Sequence, residues 1–245
     1  MIRAVLFDLW GTLIAEDPAA SDPRRRARAS RAHQALARLG LPYDLADVEA
    51  AFLAAGTEHE RIHERGLDLS ARGRTVLYLR YLDETLPDRL DEDGWRMLDA
   101  AVLEPALQHR PLLIDGAAGV LKDVAAHGLG VGLISNTGAT PGYVLRQILD
   151  DFGLLPHLGL TVFSDEVELA KPNPAIFHGA LEEMGLAPDE AAFVGDQPVL
   201  DVLGGRQAGL WVVQYGDRPA TEAEPHARIT HHGELLGALR NLGLV

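Results

Sequence analysis

Polar side chains close four short apolar segments of the chain, and their types suit group-transfer chemistry. Asp8 lies at the end of RAVLFDL, Ser135 ends LGVGLIS and precedes Asn136, Lys171 comes shortly after LGLTVFS, and Asp196 ends AAFVGD. A carboxylate such as Asp8 can act as a nucleophile that splits a hydrolysis into covalent capture and release. Ser135, nearby backbone amides and Lys171 can bind the charge of a transferring anionic group.

The acidic residues also suggest a metal site. Asp8 and Asp196 on adjacent strand ends would repel each other unless a cation lay between them. The chain has no cysteine, which excludes disulfides, thiolate nucleophiles and Cys-ligated zinc. Oxygen ligands suit Mg²⁺, and the backbone carbonyl of Trp10 is a further candidate ligand. Asp201, in GDQPVLD, could orient Lys171 or could serve only as an acid at a helix N-terminus.

The apolar residues follow two kinds of pattern along the chain, and these predict the strands and helices that position the candidate site residues. Helical periods that end near glycine separate the later apolar segments, and this alternation predicts a parallel sheet covered on both faces. Ligands of such sheets bind beyond the carboxyl ends of the strands, near the place where the strand order reverses. The polar groups should therefore converge on one edge. The predicted strands, short and rich in Val, Leu and Phe, are 3–9, 129–135, 158–164, 191–196 and 210–216.

The segment from 16 to 108 breaks this alternation, because it contains helical periods and almost no strand pattern. We predict a helical cap domain at 16–108, inserted after the first strand of a core formed by 1–15 and 109–245. Near the C-terminus the pattern suggests a short edge strand and a helix, with His231 and His232 on the surface. The predicted cap helices lie at roughly 23–39, 45–65, 71–86 and 91–107.

Composition limits the classes of partner. The chain is 47% hydrophobic, which is ample for a buried core. No apolar run approaches the roughly 18 residues needed to cross a bilayer, and the N-terminal MIRAVLFDLWG carries an acid where a signal peptide would be apolar. We therefore expect a cytoplasmic protein without a membrane partner. The net charge of −14 argues against nucleic-acid binding, which leaves a small-molecule substrate and an open oligomeric state.

Two local patterns have competing interpretations. DPRRRARASR (22–31) packs five arginines into eight positions and could receive an anionic substrate or partner, but a solvated helix face is favoured. The stretch 59–63 spells H-E-x-x-H, the pattern of helical zinc proteases. No third ligand is evident, so zinc catalysis is not favoured. A second hypothesis places His59 or His63 in the cleft, as a specificity or acid–base residue of the cap.

The segments DLWGTL, LISNT, KPNPAIF and FVGDQPVLDVLGGRQAGL, in this order, resemble the four motifs of the haloacid dehalogenase-like hydrolase superfamily. The resemblance implies a Rossmann-like α/β core with a helical cap and Asp8 as nucleophile. It implies that Ser135 and Lys171 bind the transferred group. The implied Mg²⁺ ligands are Asp8, the Trp10 carbonyl and Asp196, with Asp201 as the second acid of the last motif. Asn136 and Thr12 are further candidate substrate-binding residues, and Thr12 also suits the turn after Asp8.

Trp10 departs from this family pattern. Phosphatases that share the motifs carry a second Asp two positions after the nucleophile, which protonates the leaving alcohol and later deprotonates water. An indole can do neither at neutral pH. Because general acid–base help is commonly a factor of about 10² to 10⁴, hydrolysis of ordinary alkyl phosphates should be slowed by that order.

Three hypotheses for the function remain. The favoured one is Mg²⁺-dependent hydrolysis of a small phosphorylated metabolite whose leaving group needs little protonation. The second is 2-haloacid dehalogenase-type hydrolysis, because a halide needs no proton and similar dehalogenases carry Tyr at the position of Trp10. Those enzymes work without metal and lack an acid where Asp196 stands, which weighs against it. The third is a non-catalytic protein that binds an anion or regulates a partner.

Overall fold

The computed structural model describes all 245 residues and is built around a parallel β-sheet. Six strands form this sheet in the order β5-β4-β1-β6-β7-β8, and β2 and β3 form a small antiparallel pair, so the predicted Rossmann-like α/β core is confirmed. The strands are β1 (Ala4–Phe7), β2 (Ile14–Ala15), β3 (Leu112–Leu113), β4 (Gly130–Ser135), β5 (Leu160–Phe163), β6 (Ala191–Gly195), β7 (Trp211–Tyr215) and β8 (Ala227–Ile229).

Ten α-helices accompany the strands, and none combines the length and apolar character needed to cross a bilayer. A π-helical turn, Pro198–Leu203, joins directly to α9. The helices are α1 (Pro18–Arg38), α2 (Leu45–Glu64), α3 (Ala71–Leu82), α4 (Glu92–Leu103), α5 (Ala117–Ala126), α6 (Gly142–Asp151), α7 (Ser164–Val167), α8 (Pro174–Met184), α9 (Gly204–Gln207) and α10 (Leu235–Asn241).

Both faces of the sheet are covered, as the alternation along β1 shows. Val5 and Phe7 belong to one hydrophobic cluster, which includes residues of α5, α6 and α10. Leu6 belongs to another, which includes residues of α8. Since successive side chains of a strand point to opposite faces, a central strand with helices on both sides must be apolar throughout. All four residues of β1 are accordingly buried.

Helices α1 to α4 share a separate hydrophobic cluster of 15 buried residues. The helix α1 begins at Pro18, five residues before the predicted start at Pro23. The reason is local: the Asp17 side chain accepts a hydrogen bond from the Ala19 N–H at 2.8 Å, and Pro18 occupies the first helical turn. The division into a core of 1–15 and 109–245 and a cap of 16–108 stays a prediction.

The sheet order places three chain segments side by side. The chain runs from β1 to β4 and β5 on one side, and then returns to β6 on the other side of β1. The strand order therefore reverses around β1. In open parallel sheets, this is where ligands bind beyond the carboxyl ends of the strands.

Candidate active site

The carboxyl ends of β1, β4 and β6 carry three of the predicted site residues. Asp8 directly follows β1 and stays in register with β6, because its N–H donates to the Val194 carbonyl at 2.8 Å. Ser135 is the last residue of β4, and Asp196 directly follows β6. All three are buried. Adjacent parallel strands thus bring together residues that lie far apart in the sequence.

Lys171 lies between two of the carboxylates. Its Nζ is 2.6 Å from Asp8 Oδ1 and 2.6 Å from Asp201 Oδ1, and its side chain is only 1% exposed. Both ends of the Asn136 side-chain amide bind the Lys171 backbone: Nδ2 donates to the carbonyl at 2.9 Å, and Oδ1 accepts from the N–H at 2.8 Å. Asn136 therefore holds the segment that presents the lysine.

Asp201 bridges the lysine and the segment after β6. Its second oxygen accepts a hydrogen bond from the Gln197 N–H at 2.9 Å. The carboxylate packs against Gly195, where a Cβ atom would come within 2.4 Å of the Asp201 Cγ. Glycine at position 195 is thus required for the close approach. The sequence left open whether Asp201 contacts Lys171 or serves as an acid at a helix N-terminus. In the structure Asp201 makes both kinds of contact, because it pairs with Lys171 and also accepts from the Gln197 N–H.

Negative charge exceeds positive charge in this cluster. Burial raises the pKa of Asp8 to about 7, although the Lys171 ammonium opposes the shift. Burial and the charge of Asp201 raise the pKa of Asp196 to about 6. Burial alone would lower the pKa of Lys171, but Asp201 and Asp8 hold it above its usual value. The lysine therefore stays charged, and the other cation in contact with the three carboxylates is Arg218, whose side chain is 54% exposed.

The donor set fits a hard divalent cation. One oxygen each of Asp8, Asp196 and Asp201 lie within 4.8 Å of one another. Asp196 Oδ2 contacts Arg218 at 3.3 Å, whereas its Oδ1 is buried without any hydrogen-bond partner. A buried carboxylate oxygen normally has such a partner. At Gly11 (φ +81°) a Cβ would come 2.6 Å from the Asp196 carboxylate, so only glycine leaves this space open.

Trp10 occupies the turn between Asp8 and β2. It is partly buried against the main hydrophobic cluster, and its ring centroid lies 5.9 Å from the guanidinium carbon of Arg24 in α1. The indole N–H can donate a hydrogen bond but cannot exchange a proton at neutral pH. The turn therefore offers no proton-transferring group at the position of Trp10.

A histidine that the sequence analysis assigned to the surface supports this turn. His232 is buried, with Nε2 2.9 Å from the Thr12 carbonyl and Nδ1 2.9 Å from the Asp115 carbonyl. The expected surface position of His232 is therefore wrong. The Thr12 hydroxyl in turn donates to Asp8 Oδ2 at 3.2 Å. Nothing in HHGE signals this role, because the contact with Thr12 depends on the packing of the C-terminal segment.

The H-E-x-x-H segment contributes to a buried ion-pair network. His59 Nε2 is 2.7 Å and His63 Nε2 3.0 Å from the Asp68 carboxylate, and Glu60 is exposed. Arg74 Nη2 lies 2.8 Å from the same carboxylate. Burial alone would raise the pKa of Asp68, but the hydrogen bond with His59, the close contact with His63 and the Arg74 charge hold it well below its usual range. Because Asp68 is committed to an arginine and Glu60 points to solvent, this arrangement differs from that of a zinc protease.

The same network joins α3 to the segment after Ser135. Arg74 donates to the Thr137 hydroxyl and to the Gly138 carbonyl, and Ser164 donates to Asp68 Oδ2 at 2.5 Å. Arg74 and the Asp68 side chain are fully buried. These contacts hold the helical segment against the loop that follows β4, next to the candidate anion-binding residues.

Removing the Asp68 charge should destabilise the fold strongly. We expect Asp68→Asn to lower the free energy of unfolding by about 3 kcal/mol or more, because it leaves the Arg74 guanidinium buried without its principal counter-charge. Urea unfolding followed by circular dichroism measures this change. Asp93→Asn is the matched control, because the Asp93–Arg96 pair is exposed and its loss should leave the midpoint nearly unchanged. Equal midpoints for the two variants would contradict a structural role for the network.

Comparisons with known proteins point to one family. The family model of haloacid dehalogenase-like hydrolases matches residues 2–209. The phosphoserine phosphatase of Thermus thermophilus is 34% identical over 201 residues, which span 80% of this chain and 71% of that protein. The phosphoglycolate phosphatase of Yersinia pseudotuberculosis is 28% identical over 244 residues, or 97% and 93% of the two chains. A 2-haloacid dehalogenase structure from Pseudomonas syringae pv. Tomato DC3000 shares the fold, with a TM-score of 0.69 and 23% identity over 99% and 100% of the chains.

Proposed function

The chain belongs to the haloacid dehalogenase-like hydrolases, and we propose that it hydrolyses a small phosphorylated metabolite with Asp8 as nucleophile and Mg²⁺ as cofactor. One observation carries the proposal. Asp196 Oδ1 is buried without a partner, beside two further carboxylates whose shared buried counter-charge is Lys171. A site for carbon–halogen hydrolysis needs no cation, and this surplus of carboxylate would repel an anionic haloacid.

In the proposed reaction Asp8 forms a covalent intermediate. Lys171 holds Oδ1 and Thr12 donates to Oδ2, so the carboxylate has a defined orientation. A carboxylate oxygen attacks phosphorus, and the leaving-group oxygen departs with the electrons of the broken P–O bond. Water then cleaves the phosphoryl–aspartate bond, which releases inorganic phosphate and restores Asp8.

The residues around Asp8 supply charge and donors for the transferred group. Lys171 carries a positive charge at Asp8, and the Ser135 hydroxyl, which donates to the Asn136 carbonyl at 3.1 Å in this structure, can turn toward a phosphoryl oxygen. Asp8, the Trp10 carbonyl and Asp196 would hold Mg²⁺, with Asp201 orienting Lys171. When bound, the metal supplies positive charge that offsets the repulsion between the carboxylates and the phosphate.

The Trp10 side chain restricts the leaving group. Without an acid at this position, the departing oxygen must carry its own negative charge. Aryl, enol and acyl phosphates have leaving groups that are stable as anions, whereas the phosphates of simple alcohols do not. We therefore propose a substrate with an acidic leaving group.

The relatives support a small substrate. The Thermus thermophilus relative is named for phosphoserine and the Yersinia pseudotuberculosis relative for phosphoglycolate. Both are small phosphorylated molecules, and we carry over that class alone. We also propose that the helices of 16–108 form a cap that opens to admit the substrate and closes to exclude water. Their separate hydrophobic cluster is consistent with such a unit.

A panel of two substrates, with Mg²⁺ or with a chelator, tests the proposal. We expect release of phosphate from 4-nitrophenyl phosphate with Mg²⁺, a loss of about 10²-fold or more on chelation, and no halide release from 2-chloropropionate. Phosphate and halide assays measure the two reactions in parallel. Readdition of Mg²⁺ after chelation is the control for irreversible damage.

One observation favours the dehalogenase alternative, namely the aromatic side chain of Trp10 beside the nucleophile. Halide release that is indifferent to the chelator would therefore replace the phosphatase proposal with that reaction. Absence of turnover on both substrates and on a broader panel of phosphates would instead favour a protein that binds an anion without cleaving it.

A further inference from the structure

The arginine cluster at the start of α1 divides into exposed and buried side chains. Arg25 and Arg26 are exposed and pair with Asp22. Arg24 and Arg28, one helical turn apart, are each only 7% exposed. The expected solvated face is thus wrong for these two residues. Burying a guanidinium is costly unless it is paired and hydrogen-bonded, so the contacts of Arg24 and Arg28 need an explanation.

Neither buried arginine has a buried counter-ion. Arg24 Nε donates to the His109 carbonyl at 2.8 Å, and its Nη1 contacts Glu16, whose side chain is 45% exposed. Arg24 Nη2 is buried without a partner. Arg28 contacts backbone carbonyls only: its Nε lies 2.7 Å from the carbonyl of Val102, and its Nη2 lies 3.4 Å from that of Ala139. Arg74, by comparison, pairs with the buried Asp68.

Both arginines line a cavity of about 360 Å³ between α1 and two loops. The loops are the segments that follow Asp8 and Ser135: Trp10 borders the cavity from the first, and 138–140 from the second. Trp10 lies two residues from Asp8, so their Cα atoms are at most about 7.6 Å apart. Glu16 is the only carboxylate on the cavity wall. The cavity is therefore electropositive and adjoins both segments of the candidate active site.

We propose that Arg24 and Arg28 form a subsite for an anionic group on the leaving-group side of the substrate, with Trp10 as its apolar wall. The inference rests on the proposed hydrolysis at Asp8 and adds a substrate class: phosphates whose leaving group carries a carboxylate or a second phosphate. The unpaired Nη2 of Arg24 is a donor without an acceptor, and a bound oxyanion would supply that acceptor. A planar leaving group would pack against the indole.

Steady-state kinetics on matched aryl phosphates tests this subsite. Phenyl phosphate and 3-carboxyphenyl phosphate differ by one carboxylate on the leaving group, and 3-(phosphonomethyl)phenyl phosphate distinguishes a second phosphoryl-type group from a carboxylate. We expect kcat/KM for at least one of the two anionic probes to exceed that for phenyl phosphate by about tenfold or more. The reason is that charge-assisted hydrogen bonds to a buried arginine are among the stronger hydrogen bonds. A wild-type preference for phenyl phosphate over both would overturn the proposal.

Substitutions in the cavity wall test whether this cavity causes the preference for anionic leaving groups. Arg24→Met should reduce the ratio of kcat/KM between the anionic probe and phenyl phosphate about tenfold or more. Arg26→Met is the matched control, because the Arg26 side chain lies on the same helix and is 70% exposed. Ser21→Asp adds a carboxylate to the cavity wall without removing a buried contact, and should reduce the same ratio if Arg24→Met does not fold. An unchanged ratio in both Arg24→Met and Ser21→Asp would overturn the subsite while the hydrolysis at Asp8 stands.

A binding measurement separates failure of the subsite from failure of the proposed function. If the wild-type protein hydrolyses no aryl phosphate, calorimetric titration with 3-carboxyphenyl phosphate and phenyl phosphate still decides the inference. Tighter binding of the carboxylated probe, lost in Ser21→Asp, would support the subsite in a protein without this activity. Equal binding of the two probes would overturn it.

Discussion

We expect Asp8→Asn to abolish phosphate release, with a loss in kcat of more than about 10⁴-fold. The amide keeps the shape of the carboxylate but cannot attack phosphorus to form the covalent intermediate. We expect the fold to persist, because Lys171 retains its 2.6 Å contact with Asp201. Turnover of 4-nitrophenyl phosphate with Mg²⁺ measures the effect.

Two controls make this result specific to the nucleophile. Asp123→Asn makes the same chemical change at an exposed position of α5 and should leave kcat unaltered. Mass spectrometry after a rapid acid quench should detect a phosphoryl adduct on the wild-type chain and none on Asp8→Asn. If the variant kept a tenth of the wild-type turnover, the nucleophile would have to be another group.

Trp10→Asp should raise kcat/KM for alkyl phosphates by about 10² to 10⁴-fold, the usual range of general acid–base catalysis. An aspartate two residues after Asp8 can protonate the departing alkoxide and later remove a proton from the attacking water. The gain should shrink for aryl phosphates, because a phenolate departs without a proton. A series of phosphate esters with leaving groups of increasing pKa measures the change: log kcat/KM should fall steeply for the wild type and gently for the variant.

Trp10→Asn is the matched control, since it removes the indole without supplying a titratable group. It should show no gain on alkyl phosphates. Trp10→Asp also brings a carboxylate near Arg24, because the Arg24 guanidinium lies 5.9 Å from the centroid of the Trp10 ring. Thermal unfolding therefore checks that each variant is folded. If the folded Trp10→Asp protein gains nothing, the missing acid is not the sole limit on alkyl phosphate hydrolysis.

The strands of the core could be predicted because their signal is local. The segment AVLF of β1 is apolar at every position, as expected for a central strand covered on both faces, and a polar residue closes it at Asp8. The predicted start of α1, at Pro23, lies five residues after the observed start at Pro18. Pro23 by itself suggests a first helical turn, but the capping side chain of Asp17 and the proline at position 18 begin the helix earlier. The small β2–β3 pair was missed, since two-residue strands carry no periodicity.

The sequence suggested candidate site residues but did not reveal their contacts. Asn136 could be chosen as a polar residue after β4, but its hydrogen bonds go to the backbone of Lys171, 35 residues away. His232 carried no signal, because its contact with Thr12 spans 220 residues. The four-residue spacing of His59 and His63 puts both on one face of α2, but it does not reveal Asp68 as their shared partner.

By itself, the sequence determined the α/β class, the family and the residues that end the central strands, and it places a tryptophan two positions after Asp8. These properties depend on neighbours in the chain, whose spacing sets strand, helix and turn. Only the tertiary structure decided that Lys171 lies between Asp8 and Asp201, and that Arg24 and Arg28 turn inward beside Trp10. These contacts depend on the order of the strands and on the packing of α1 against the core. Both result from packing between segments that lie far apart in the sequence.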